Sequence, residues 1–266
     1  MKIIILASGS NGNSTYIEHQ GMNFLIDCGL TFKALKERLE SFDIDIYNIQ
    51  NIFITHEHTD HVKALAVLAN KMPCLNIFIT KGTYNGLKAE CRERLKFNPI
   101  KYVKQEEMLS FGDLQVELIR THHDANEPFG LIIREGNKKV VYITDTGYME
   151  EKYLEKLQNA DMYILESNYD VDVLFTSDRP YDLKERINSD HGHLSNYDSA
   201  ILLGKCIGPN TKKICFAHIS EDCNFYYLPE MILKAHHDIY KELGVAYQGI
   251  DFIICKREEP TGEFTL

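Results

Sequence analysis

The chain has 266 residues, of which 44% are hydrophobic and 26% charged, with a net charge of −10. That length supports a substantial core, the composition is that of a globular protein, and no apolar run approaches the ~20 residues needed to span a bilayer, so no membrane partner is expected. The acidic total counts against a broadly basic nucleic-acid binder but not against a local basic track, because the distribution of charge matters more than its sum.

The first apolar run, KIIILA (2–7), breaks at Ser8-Gly9 and is too short for a signal peptide; it reads as the first strand. SGSNGN (8–13) lacks the G-K-S/T ending of a phosphate loop and reads as a tight loop that could line a site mouth. STYIE (14–18) and NFLID (23–27) are strand-like, and TFKALKERLESF (31–42) places Phe32, Leu35 and Leu39 at helical spacing. NIFIT occurs at 51–55 and again at 76–80, and HVKALAVLANKM (61–72) between them is helical in pattern. The likeness ends after five residues, so these are two strands of one β-α-β unit and not a repeat. Lysine and arginine are dense from Arg92 to Lys104, which reads as a solvated face, and from Arg179 to Arg186. Strand-like runs continue at 114–121, 130–135, 139–144, 162–166, 213–218 and 251–255, and Leu228 to Leu243 is a longer helix with Pro229 suited to its first turn. No linker or low-complexity tract divides the chain, which predicts one domain over 1–266 built from two helix-covered sheets. Seven scattered cysteines without a C-x-x-C pair predict reduced thiols and a cytoplasmic protein.

The chemistry concentrates in THEHTDH (55–61). Three of the eleven histidines fall within six residues there, directly after a strand. His56 and His58, two apart on extended chain, point to one side. Asp60 and His61 follow where a helix begins. Imidazoles with a carboxylate suit zinc, iron or manganese. Further donors follow apolar strand-like runs: His122-His123-Asp124, Asp145 in TDTG, and His218 after KICFA. Strand ends gathered on one sheet edge are where α/β proteins build sites.

H-x-H-x-D-H followed by a later His, a later Asp and a final His resembles the metallo-β-lactamase fold superfamily of metal-dependent hydrolases, over nearly the whole chain. LASGSNGNSTYIE, HHDANEPFG, ESNYD, LKERINSDHGHLSN and AHISEDCN are similar to its YycJ/WalJ-type bacterial branch, which is related to tRNase Z and the phosphodiesterase members. The resemblance implies a four-layer αββα sandwich and two divalent metal ions, zinc, manganese or iron. It assigns His56, His58 and His123 to one ion, Asp60, His61 and His218 to the other, and Asp145 to a bridge. Its H-D-A pattern selects His123 over His122. Asp27, in FLIDCG, supports the ligand loop. His193, in GHLSN, reaches the scissile phosphate with Ser195 as its hydroxyl partner, and Asp60, Asp145 and His193 carry catalysis. Glu166, Asn168 and Asp170 follow a strand and are candidates to support the ligands, Asn224 belongs to the last motif, and Arg179, Lys184 and Arg186 are candidate phosphate contacts. Asp at position 145, where antibiotic-hydrolysing relatives often carry Cys, argues against a β-lactamase. Phe225, Tyr226, Tyr227 and Leu228 stand between Asn224 and Pro229, a lengthening that bears on substrate preference. The branch implies a nuclease acting 5′ to 3′ on DNA, with a small-molecule metallohydrolase on the same core (a cyclic phosphodiesterase, or a thioester or lactone hydrolase) as the alternative.

Overall fold

The two NIFIT stretches lie side by side in parallel, paired like with like: Asn51 with Asn76, Ile52 with Ile77, Phe53 with Phe78, Ile54 with Ile79. The register stacks Phe53 on Phe78 with ring centroids 4.8 Å apart, and Asn76 Nδ2 donates to Asn51 Oδ1 at 3.1 Å. Same-face pairs of this kind stabilise a sheet. The computed structural model that shows this describes residues 1–224 and 228–266; Phe225, Tyr226 and Tyr227 of the lengthened motif, and the side chain of Leu228, lie outside the described residues.

The backbone gathers into two compact units: Met1–Glu107 with Ala125–Phe129 and Cys255–Leu266, and Met108–Asp124 with Gly130–Ile254. The first holds a seven-stranded sheet made of β1 (Lys2–Ala7), β2 (Ser14–His19), β3 (Met22–Ile26), β4 (Asn51–Ile54), β5 (Asn76–Thr80), β6 (Ile100–Val103) and, from the chain end, β14 (Gly262–Thr265), in the order β14-β1-β2-β3-β4-β5-β6. Strands β3 to β6 run parallel. The helix α1 (Phe32–Glu40) starts where Thr31 accepts the Ala34 amide at 3.2 Å, and it buries Leu35 and Leu39.

The single helix expected over 61–72 is two: α2 (Thr59–Val62) and α3 (Leu65–Lys71). The reason lies in the backbone hydrogen bonds. The carbonyls of Asp60 and His61 accept from Asn13 N and Cys28 N, each at 2.8 Å, and Ala64 N donates to Cys28 O at 2.9 Å. The ladder that would continue the helix is therefore diverted into the loops before β2 and after β3. Two helices without a helical apolar pattern follow, α4 (Lys81–Gly86) and α5 (Ala89–Leu95). The Arg92 guanidinium ties them by donating to the carbonyls of Asn85 and Leu87, both at 2.6 Å.

The second unit holds β7 (Met108–Phe111), β8 (Leu114–Arg120), β9 (Phe129–Glu135), β10 (Lys138–Ile143), β11 (Met162–Glu166), β12 (Lys213–Ala217) and β13 (Asp251–Ile254), in the order β13-β12-β11-β10-β9-β8-β7. Strands β10 to β13 are parallel. The helices α6 (Leu154–Leu157), α7 (Val171–Thr176), α8 (Tyr181–Ile187), α9 (Asn196–Cys206) and α10 (Leu228–Glu242) accompany it. Ile132, Leu165, Leu203, Phe216, Ile232 and Tyr240 belong to its core. Among the described residues no helix is long and apolar enough to cross a membrane.

His236 on α10 is fully buried, with its ring 4.2 Å from that of Phe216 and its Nδ1 2.8 Å from the Ile232 carbonyl. Burial lowers its pKa from 6.5 to about 4. The unfolded chain thus binds a proton at a higher pH than the folded one. The stability from burying neutral His236 is complete above pH ~6.5 and is lost as pH falls towards ~4, at most about 3 kcal/mol for this group. Denaturant unfolding of metal-free His236→Phe should show a shallower acid-side loss than the parent between those pH values. Parallel profiles would contradict a neutral buried imidazole.

Candidate metal centre

In the first unit, adjacent parallel strands β3 and β4 deliver Asp27 and the Thr55-His56 pair at their C-terminal ends. Asp27 is fully buried and takes a left-handed backbone, φ 60°. Its Oδ1 accepts Thr55 N at 2.8 Å, and its Oδ2 accepts Thr55 Oγ1 at 2.8 Å and His61 Nδ1 at 2.7 Å. Burial raises the Asp27 pKa, and the His61 contact opposes that rise. Because Asp27 receives the Nδ1 proton, the lone pair of neutral His61 sits on Nε2, the nitrogen a metal would take.

That Nε2 lies 3.5 Å from Asp60 Oδ2 and 3.0 Å from Asn13 Nδ2. The His56 ring centroid is 4.0 Å from that of His61 and 4.8 Å from that of His58. All four donors of H-x-H-x-D-H are thus packed together. The packing needs a glycine behind it: a Cβ on Gly29 would stand 1.6 Å from the Asp60 carbonyl oxygen. Asn13 lies in the SGSNGN loop. Its Oδ1 accepts Gly9 N at 2.9 Å, and its amide reaches Asp60 Oδ2 at 3.3 Å, so the SGSNGN loop frames the donors.

In the second unit, Asp145, Glu166 and His218 stand at the C-terminal ends of β10, β11 and β12, three neighbouring parallel strands. Asp145 (φ 57°) and His218 (φ 50°), like Asp27, are left-handed. Strain at strand ends that carry donors is characteristic of built sites. Ligand atoms of Asp145, Glu166, His193 and His218 all lie within 4.8 Å of one another. His218 Nε2 is 3.3 Å from Asp145 Oδ1, and Asn168 Nδ2 holds the ring from the other side, 2.9 Å from Nδ1. His123 Nδ1 donates to the Gly192 carbonyl at 2.9 Å, which leaves its Nε2 lone pair 3.8 Å from Asp145 Oδ1. Burial lowers the His123 pKa, against the pull of Asp145, and favours the neutral, ligating form. His122 turns elsewhere, stacked on Tyr148 at 4.1 Å with Nε2 2.9 Å from Glu150.

His193 is part of this cluster. Its ring stacks on His218 with centroids 5.1 Å apart and lies 4.9 Å from His123. Nδ1 donates to Glu166 Oε2 at 3.0 Å, while Glu166 Oε1 accepts from Thr146 N and Leu194 N at 2.7 and 3.1 Å. Glu166 is fully buried and anchors both the Asp145 turn and the His193 loop. Ser195 is placed differently from the expected partnership with His193 at a substrate. It caps α9, accepting Asp198 N at 3.0 Å and donating to Asp198 Oδ2 at 2.6 Å. Asn224 is buried and organises loops, donating to the carbonyls of Asn168 and Ser220 at 2.9 and 2.6 Å. The basic group 179–186 is largely engaged: Arg179 pairs with Asp222 at 3.0 Å, Arg186 pairs with Asp124, and Lys184 donates to the carbonyls of Phe175 and Ser177.

The fold agrees with the comparisons. A model of the beta-lactamase superfamily domain matches residues 22–219. The chain belongs to the beta-lactamase superfamily. Within the superfamily it is 36% identical to exodeoxyribonuclease YycJ of Bacillus anthracis over 231 residues, 85% of each chain. It is 33% identical to exodeoxyribonuclease WalJ of Streptococcus pneumoniae over 252 residues, 94% of this chain and 92% of that one. The crystal structure of the metallo-beta-lactamase fold protein YhfI from Bacillus subtilis shares the fold, with a TM-score of 0.70 at 14% identity over 99% of both chains. The α/β sandwich class expected from the motifs is therefore the class found. The superfamily implies divalent metal ions, and the imidazoles and carboxylates assembled here fit them: neutral histidines with Nδ1 held by oxygen acceptors, beside buried carboxylates.

Proposed function

We propose that this protein is a dinuclear metal-dependent phosphodiesterase whose substrate is nucleic acid, acting as a 5′ to 3′ DNA exonuclease. The supporting observation is the pairing of His193 with a donor cluster. A histidine oriented by buried Glu166 stands beside Asp145 and His218, with ligand atoms within 4.8 Å of one another. The two curated relatives are named as exodeoxyribonucleases, at identities that span most of both chains. In this reading His56, His58 and His123 hold one ion, Asp60, His61 and His218 hold the other, and Asp145 serves both. Zinc, manganese and iron all suit these ligands.

Ions bound there would supply a nucleophile from water at neutral pH and positive charge towards the phosphoryl oxygens. The chain's own groups do the rest. Asp27 and the Gly192 carbonyl hold His61 and His123 in the ligating tautomer. Glu166 holds His193 Nδ1–H, and when the ring carries its second proton, Nε2–H is left to donate that proton or a hydrogen bond at the leaving oxygen. The test offers metal-loaded protein end-labelled duplex DNA, single-stranded DNA, RNA, a small phosphodiester, a thioester and a lactone. Cleavage of DNA from the 5′ end is expected. Hydrolysis of the thioester or lactone with no phosphodiester cleaved would favour the small-molecule reading and end this one.

A further inference from the structure

Two clefts adjoin residues of the expected site, and their electrostatics differ. One, of about 310 Å³, borders His193 and is lined by Glu151, Asp190 and Asp198 with a single cation, Lys205. The other, of about 390 Å³, runs from His58 over a floor of Val62, Ala66, Leu87 and Cys91 to Lys63 and Lys88. Both volumes fall in the range of ligand clefts. Only the second suits a polyanion.

Its lysines are available. Lys63 and Lys88 are exposed, and neither ammonium has an ion pair or hydrogen bond among the described residues. The one carboxylate in its lining, Glu57, is turned into the 125–129 segment, where it accepts Asn126 N at 3.0 Å and the Asn126 side-chain amide. Gly86 makes room for that contact, since a Cβ there would stand 2.6 Å from Glu57 Oε1. The surrounding stretch, residues 81–104, carries seven basic residues against two acidic ones in a chain of net −10. It also presents aromatic surface: Phe97 is 85% exposed, and Lys81 Nζ lies 5.9 Å from the centre of the half-exposed Tyr102 ring. A basic groove with an apolar surface for a base face, next to a stretch that exposes aromatic rings, suits single-strand binding.

We infer that the His58 cleft holds a nucleotide of a single-stranded segment beside the phosphate being cut, its base on the Val62–Ala66–Leu87–Cys91 floor and its neighbouring phosphates on Lys63 and Lys88. The inference rests on the phosphodiesterase reading. A paired base hides its face, so the subsite selects a frayed or single-stranded end.

The test measures cleavage of a single-stranded oligodeoxynucleotide by metal-loaded full-length protein at several salt concentrations. Lys63→Ala/Lys88→Ala should raise KM about tenfold or more and flatten the salt dependence of log KM by about 1.4, two contacts at ~0.7 each. Ala66→Trp, which fills the floor, should raise KM while keeping the parental salt slope. Metal content and melting temperature, measured alongside, identify any variant that has lost its fold. Parental KM and salt slope in folded variants overturn the cleft assignment while leaving the phosphodiesterase reading standing. A parent protein that cleaves neither the oligonucleotide nor a small phosphodiester overturns both.

Discussion

Replacing His193 by glutamine is expected to lower phosphodiester turnover by about 10²–10⁴-fold, the usual contribution of a positioned acid or base, while both metal ions are retained. The expectation follows from how the ring is held. Its Nδ1 is committed to Glu166, whose other oxygen is committed to two backbone amides, so the imidazole is fixed without a metal ion. Nε2 then remains for the substrate. Glutamine preserves polarity and much of the volume but supplies no proton-transfer group. Turnover of DNA and metal content by elemental analysis should therefore separate, the first collapsing and the second unchanged. Loss of one equivalent of metal in His193→Gln would instead make His193 a ligand, a role its place among Asp145, Glu166 and His218 allows geometrically. Glu166→Gln should reproduce part of the turnover loss by releasing the ring, with KM less affected than kcat.

Asp27→Asn is expected to lower metal affinity about 10–100-fold and to destabilise the metal-free fold by about 1–3 kcal/mol. The Asp27 carboxylate accepts three hydrogen bonds in a fully buried position. An asparagine can keep Oδ1 towards Thr55 N, but its amide then meets His61 Nδ1 and Thr55 Oγ1 with a donor where an acceptor stood. His61 can relieve that conflict by moving its proton to Nε2, the nitrogen the metal requires. One atom thus couples the stability of the β3–β4 edge to ligation. Metal titration and denaturant unfolding of the apo variant measure the two effects separately. Unchanged metal affinity in a folded Asp27→Asn would show that the His61 tautomer does not control binding.

The strands that carry donors were legible because they are buried and apolar. KIIILA, MYILE and the two NIFIT runs match their strands to within a residue at each end. β6, β7 and β14 were not legible, for a physical reason: each is a four-residue strand at a sheet edge, half exposed and without an apolar run. The break between α2 and α3 was also hidden, since it depends on Asn13 and Cys28, residues distant in sequence, taking the backbone bonds that periodicity assigns to a helix. Asn13 itself carried only the signal of a polar turn. Arg179, Lys184 and Arg186, read as candidates for phosphate, are engaged by protein acceptors, whereas Lys63 and Lys88, which belong to neither basic cluster, line a cleft and have no ion pair or hydrogen bond among the described residues. Pattern gives residue type and spacing, but only packing shows which charges are already neutralised.

If these imidazoles and carboxylates hold two divalent ions that cut phosphodiesters, metal titration of activity reveals it. Protein stripped with chelator should cleave no labelled DNA, and activity should return with added manganese or zinc and saturate at two equivalents per chain. Saturation at one equivalent, or full activity in the stripped protein, would contradict the dinuclear account.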